Sequence, residues 1–302
     1  MSIKPEHYVS VIIPVFNDPI RLKICLDALE KQTYPKELYE VIVVDNASDE
    51  NIDKLVSQFH QAIAISENRQ GSYVARNKGI TFSKGDVIAF TDSDCVPAPE
   101  WIEKGVENLL RTPNCGLVVG RINMFFRDPD KPTSVELYDA VTAFPNEHIL
   151  KVAKFGPTAN VFTFRSVIAH VGAFNDNVKS AGDLEWGQRV FSFGYRQIYA
   201  DDTCVSHPAR FSMSELLKKH VRMVGGLHDL KSGKGYSFPS LIGILLNDLL
   251  PPKIAFYNFF SDVRLKGIKR KCKVVSVMLI IKIMRMWERL RLYYGGISKR
   301  GV

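Results

Sequence analysis

Cysteine is scarce in this chain, and its spacing suits neither cross-linking nor metal binding. Cys25, Cys95, Cys115, Cys204 and Cys272 are odd in number, widely scattered and form no C-x-x-C pair. That excludes a disulfide framework and a zinc site, and it suits a reducing compartment. Neither G-x-G-x-x-G nor G-x-x-x-x-G-K-[ST] occurs, so a dinucleotide fingerprint and a P-loop are both excluded. No stretch approaches the roughly 18 unbroken apolar residues of a spanning helix. The polar opening, Met1-Ser-Ile-Lys-Pro-Glu-His7, predicts no signal peptide. With 302 residues, 46% of them apolar, the chain can form one large α/β domain plus an appendage.

Acids are nearly missing from one end. Residues 251–302 hold thirteen Lys and Arg against two acids, Asp262 and Glu288, a net +11, while the whole chain is +8. The first 250 residues are therefore at −3. A nucleic-acid enzyme is more often basic around its catalytic domain, so no nucleic-acid partner is expected. The asymmetry points instead to an anionic surface met by one end of the molecule.

What is present is an alternation of strand and helix signals. Residues 8–15 and 39–44 read as buried strands, 62–65 as a third short one and 87–90 as a fourth. Between them, Leu22, Cys25, Leu26 and Leu29 share a helical face, and a second helix is expected from Gly71 through Lys84. The string Asp45-Asn-Ala-Ser-Asp49 is expected to cap the helix after it. This spacing means βαβ units and a parallel sheet. Polar residues follow three of the strands: Asn17, then Asp45 with Asn46, then Asp92 with Asp94. Side chains there enter the crevice beyond the carboxyl edge of the sheet, where open α/β folds bind ligands. Asp92 and Asp94 repel each other unless a cation joins them, and hard divalent cations prefer oxygen ligands. The alternative is a solvated turn with a helix cap.

Together the motifs resemble the inverting glycosyltransferases of family 2. They are Val9-Ser-Val-Ile-Ile-Pro-Val-Phe-Asn17, Val43-Val-Asp-Asn-Ala-Ser48, Asn68-Arg-Gln-Gly-Ser-Tyr-Val-Ala-Arg-Asn-Lys-Gly79 and Ile88-Ala-Phe-Thr-Asp-Ser-Asp94. Later in the chain come Gly156-Pro-Thr-Ala-Asn160, Gly172-Ala-Phe-Asn-Asp176 and Ser180-Ala-Gly-Asp-Leu-Glu-Trp-Gly-Gln-Arg189. The resemblance covers roughly residues 8–228. It implies a GT-A fold, a Rossmann-like α/β architecture with a mixed, mainly parallel sheet and flanking helices. Residues 1–230 would form the catalytic domain, and 231–302 a basic helical appendage.

The resemblance also implies roles. Pro14, Phe16 and Asn17, with Asp45 and Asn46, would grip the nucleoside; Gly71, Arg76, Asn77, Asp92 and Ser93 would complete the donor site. A carboxylate at Asp45 could accept from the imide of uracil or from a ribose hydroxyl, or cap the next helix. Many relatives carry a second Asp where Asn46 stands, which leaves the base open, although a UDP-sugar is the expected donor. Arg76 would face the base or diphosphate, or pair with Asp45 or Asp92 to shape the pocket. Gly71 would permit a tight turn. Asp94 would hold Mg²⁺ or Mn²⁺ against the diphosphate, with His207 as a further metal ligand or a structural histidine. Asp92 would meet the ribose or donor sugar. Asp183 takes the position of the general base that removes the acceptor's proton, or caps its helix. Asn160, Glu185 and Trp186 would contact the acceptor. His220 and Arg222 either close over the diphosphate or belong to a basic helix face.

The expected reaction is transfer of a sugar from a nucleotide-diphospho-sugar to a glycan or lipid-linked saccharide. Rival readings are a nucleotide-sugar-binding module without catalysis, and transfer to a soluble small-molecule or protein acceptor. A nucleotidyltransferase would need a basic Gly-rich loop that Phe16-Asn-Asp-Pro19 does not provide. In the tail, Lys282, Arg285 and Arg289 share one helical face, while Leu279, Ile283, Met286 and Leu290 share another. With Trp287, that pattern is expected to lie on the inner, cytoplasmic face of an anionic membrane. The alternative is packing on the catalytic domain or on a homo-oligomer partner, with the basic face solvated.

Overall fold

Four short runs rich in β-branched and apolar residues build half of a sheet. In the computed structural model, which describes residues 6–231, 238–249 and 262–299, they are β1 (Val9–Val15), β2 (Tyr39–Asp45), β3 (Ala62–Ser66) and β4 (Val87–Thr91). They lie parallel in the order β3-β2-β1-β4, with Val15 opposite Asp45 and Val9 opposite Val87. β1, β2 and β4 are covered on both faces, as their continuous apolar runs require, and β3 is a half-buried edge. Beyond β4 the sheet continues with β7 (Asn160–Phe164), β6 (Cys115–Phe125), β8 (Arg196–Pro208) and the two-residue β5 (Val96–Pro97). β7 runs antiparallel to both β4 and β6, and β5 antiparallel to β8.

Helices cover this sheet. α1 (Pro19–Leu29) buries Leu22, Cys25, Leu26 and Leu29, the face its spacing marks out, and Asp18 caps it. α2 (Ile52–Val56) is capped by Asn51, which accepts from the Lys54 N–H; the expected cap from the 45–49 string is not what the structure uses. α3 (Ser72–Phe82) ends two residues before Lys84, because Ser83 turns extended. α4 (Trp101–Arg111) approaches the sheet closely at Gly105, where a Cβ would lie 2.4 Å from the Phe162 ring. Three more helices belong to this part of the chain, α6 (Asn146–Ala153), α7 (Arg165–Val171) and α8 (Gly182–Ser192), while α5 (Ser134–Thr142) falls in the second compact unit.

The chain divides into two compact units. One comprises residues 1–123, 144–176 and 182–207; the other 124–143, 177–181 and 208–302. The second unit therefore reaches well upstream of residue 230 and takes in α5. Among the described residues its α-helices are α5, α9 (Met213–Lys231), α10 (Phe238–Leu249) and α11 (Ile268–Tyr293). α5, α9 and α11 share an apolar core: Val274, Val277 and Ile281 of α11 pack with Tyr138 and Val141 of α5 and Leu216 of α9. Each such side chain contributes roughly 1.5–3 kcal/mol by burial.

The stripe of Lys282, Arg285 and Arg289 exists, but its orientation differs from the solvated basic face of the alternative, protein-packing reading. It turns toward Asp248 of α10, which is 7% exposed. Arg285 lies 2.8 Å from one Asp248 carboxylate oxygen, Arg289 lies 2.5 Å from the other, and Lys282 donates to the Asp248 carbonyl at 2.9 Å. The tail aromatics Phe256, Tyr257, Phe259 and Phe260 lie outside the described residues.

Candidate active site

The carboxyl ends of β1, β2 and β4 bring the first group of residues together. Pro14 lies within β1 and Phe16 just past it, both half-buried, and the loop after β2 folds back over that edge. Asn17, at φ 50, exchanges two hydrogen bonds with Asp49 and donates its N–H to the Ser48 hydroxyl. Asp45 accepts from the Ser48 N–H at 3.0 Å, closing a turn. Asn46 is 5% exposed and fully engaged. Its NH₂ donates to the carbonyls of Glu67 and Arg69, and its oxygen accepts from the Gly71 N–H at 2.6 Å. Only an amide can donate twice and accept once here, since a carboxylate has no donors. Asn46 therefore holds the Gly71 turn. Gly71 itself, at φ 145, adopts backbone that side-chain-bearing residues avoid.

A second chain of contacts crosses from the donor side to the expected base. Arg76, on α3 and 3% exposed, pairs with the Asp92 carboxylate and lies over the Tyr73 ring, 5.7 Å from its centroid. Of the two carboxylates open to it in the sequence, Asp92 is the one it meets. Tyr73, also on α3, donates its hydroxyl to Asp183 at 3.2 Å, and the Leu184 N–H donates to the same oxygen at 2.9 Å. Burial pushes the Asp183 carboxyl up, against the Leu184 N–H, Arg76 and Tyr73, which pull it down. Burial and the Asp183 charge push the Tyr73 phenol up, so it stays a donor. Sequence pattern alone does not single out Tyr73. Its place one turn before Arg76 on the same helix is the signal that could have found it.

Asp94 and His207 meet through strand pairing. In the antiparallel β5–β8 pair Val96 faces Ser206, which sets the preceding Asp94 beside the following His207. His207 Nε2 lies 3.4 Å from Asp94 Oδ2, and Arg21 lies 3.8 Å from the same oxygen. Ser93 is the half-buried turn residue between the two aspartates. Burial pushes up the Asp18 carboxyl and the Cys25 and Cys95 thiols nearby, and the Asp94 charge adds to each. Among the described residues no group of three or more His, Cys, Asp or Glu could hold a metal alone. One carboxylate and one imidazole nevertheless fit a divalent ion of the Mg²⁺ or Mn²⁺ kind, which takes few protein ligands and fills its shell with water or phosphate oxygens.

Other expected contacts have structural tasks. Asn160 is 0% exposed; it accepts from the Trp101 indole and donates to the Arg121 and Thr203 carbonyls, so its side chain is closed to an acceptor. Trp186 is likewise core, 2% exposed, donating to the Gly172 carbonyl and packing on Phe90 and Phe174. Asn77 exchanges two hydrogen bonds with the Phe174 backbone. Glu185 pairs with Arg189 through both oxygens. His220 belongs to the second unit, where burial and then Lys219 and Arg285 push its pKa down to about 3, keeping it neutral. Arg222, in the same helix, is half-buried.

Comparison with known proteins gives this geometry a family. The model for "Glycosyl transferase family 2" matches residues 10–174. Glycosyltransferase AglE of Haloferax volcanii is 40% identical over 224 residues, 72% of this chain and 72% of that one. An uncharacterized glycosyltransferase of Haemophilus influenzae is 26% identical over 309 residues, 93% of this chain and 99% of the other. In fold, the chain is similar to mannosyltransferase PcManGT from Pyrobaculum calidifontis, solved in complex with GDP-Man and Mn²⁺. The TM-score is 0.59 at 19% identity, covering 96% of this chain and 85% of that one. The strand-end carboxylates, the mixed sheet and these matches agree: the chain is a GT-A-fold glycosyltransferase and belongs to glycosyl transferase family 2.

Proposed function

We propose that the chain transfers a sugar, with inversion, from a nucleotide-diphospho-sugar to a hydroxyl of a glycan or lipid-linked saccharide. The observation that carries this reading is Asp183: a half-buried carboxylate of raised proton affinity, oriented by Tyr73 and tied through Arg76 to Asp92. Asp183 takes the proton of the acceptor hydroxyl, whose oxygen forms the new bond to the anomeric carbon on the face opposite the leaving group. The bond to the diphosphate breaks, and its electron pair leaves with the nucleotide. Desolvation of the base strengthens its pull on that proton. Arg76 holds Asp92 in place beside the sugar.

Asp94 and His207 would hold a divalent ion. When bound, such an ion neutralises charge on the departing diphosphate. Pro14, Phe16, Asp45 and Ser93 line the nucleoside side; Asn46, Gly71 and Asn77 shape it from behind. With Asn46 engaged by the loop, a UDP-sugar is the favoured donor on the strength of Asp45, and a GDP-sugar is the rival, as in the complex of the mannosyltransferase with GDP-Man. A binding module without catalysis is disfavoured because both Asp94 and Asp183 are retained. The enzyme works as a peripheral protein on the cytoplasmic face of a membrane, beside a lipid-linked acceptor.

A panel of UDP- and GDP-sugars, scored for Mn²⁺-dependent thermal stabilisation and donor hydrolysis, tests this. A donor that stabilises and is hydrolysed only with metal supports it. No response to any nucleotide-sugar would contradict it.

A further inference from the structure

Besides its buried apolar face, helix α11 carries two further faces. Its cations at 282, 285 and 289 turn inward to Asp248, whereas Leu279, Ile280, Ile283 and Trp287 are 52%, 45%, 67% and 69% exposed. A helix turns about 100° per residue, so these four fall on one broad face with the exposed Lys269 and Lys273, on the side away from Lys282, Arg285 and Arg289 and beside the buried face of Val274, Val277 and Ile281. The stripe is roughly 27 Å long. It begins cationic and continues apolar. No acid lies on it, because Glu288, the one acid of α11, is buried and bonded to Arg291.

The geometry points to this stripe as the surface through which the protein lies on anionic lipid. The inference deepens the peripheral placement proposed above and rests on it. A second copy of the same stripe offers no charge complement to Lys269 and Lys273, whereas acidic headgroups do. The apolar stretch then reaches the acyl boundary, with Trp287 at the depth where indole rings settle. No helix among the described residues is long and apolar enough to cross a membrane, which is consistent with a helix lying in the interface. The internal pairing also revises the expected contact: Lys282, Arg285 and Arg289 hold the second unit together, and the lipid-facing charge sits at the start of α11.

The chain itself supplies the probe. It has three tryptophans, and Trp101 and Trp186 are 0% and 2% exposed, so a change in emission on adding vesicles reports Trp287. With vesicles of equal parts phosphatidylglycerol and phosphatidylcholine, the full chain is expected to float. Its emission is expected to shift to shorter wavelength and to be quenched by brominated acyl chains. The double variant Ile283→Glu, Trp287→Glu, checked for an unchanged thermal melt, should lose at least about tenfold in vesicle partitioning. If wild type and variant float equally, the stripe is refuted while peripheral placement stands. If the wild type does not float at all, the placement fails and the stripe with it. A blue shift that grows with protein concentration in the absence of lipid would assign the stripe to a second copy of the chain and overturn the lipid assignment.

Discussion

The Tyr73 hydroxyl donates to Asp183 Oδ1 at 3.2 Å, from a helix that also carries Arg76 against Asp92. The expected base and the expected donor contact are thus braced by the same turn of α3. Gly182 allows this: a Cβ there would lie 2.8 Å from the Tyr73 ring.

Removing the phenol hydroxyl tests whether Tyr73 positions the base. Burial raises the Asp183 carboxyl and Tyr73 partly offsets it, so Tyr73→Phe should raise it further. The acid limb of the pH profile of kcat/KM is then expected to move to higher pH, with kcat down about 10-fold and donor KM unchanged. A profile that superimposes on wild type would remove Tyr73 from the mechanism.

Asp183→Asn separates catalysis from folding. An amide takes no proton, so turnover should fall by about 10²–10⁴-fold while donor affinity holds. A carboxyl raised by burial binds protons more tightly folded than unfolded. Its ionised form therefore costs stability, and that cost appears as pH rises from the ordinary carboxylate range through the folded value. The variant's melting temperature at neutral pH should accordingly equal or exceed that of wild type. A large drop would mean that Asp183 is mainly structural.

In the second unit, Asp139 is 0% exposed and lies between Lys219 at 2.8 Å and Arg210 at 3.2 Å. Burial alone would raise its carboxyl, but Lys219 and Arg210 outweigh that and hold it down at about 2. Its stabilisation is present above the ordinary value of 3.8 and is lost as pH falls toward about 2. Asp139→Asn leaves two cations without their carboxylate and should cost about 3–5 kcal/mol at neutral pH. Denaturant unfolding at pH 7 and pH 3 checks this, with the gap between wild type and variant expected to narrow at the lower pH.

Much of this was legible in the residues. Strand ends carrying Asn17, Asp45, Asp92 and Asp94 can be placed from period and burial alone, because an apolar run must stop somewhere and its polar successors project from the sheet edge. What periodicity could not show is the partner of each polar atom. Asn160 and Trp186 look like contact residues in a motif, and only the fold reveals that both are spent on backbone carbonyls in the core. The three loop contacts of Asn46 are likewise visible only in the fold. In α11 the helical spacing separates a basic stripe from an apolar one. The basic stripe turns toward Asp248 of α10, a partner that the periodicity of α11 alone does not show.

Titration calorimetry of a nucleotide-diphospho-sugar, with and without Mn²⁺, on wild type and Asp94→Asn tests the central claim most directly. Wild type should bind the donor with an affinity that Mn²⁺ raises at least about tenfold, and the variant should keep its fold and lose that metal-linked gain. Equal affinity with and without Mn²⁺ in wild type, or an undiminished metal effect in the variant, would contradict a metal-assisted transfer centred on Asp94.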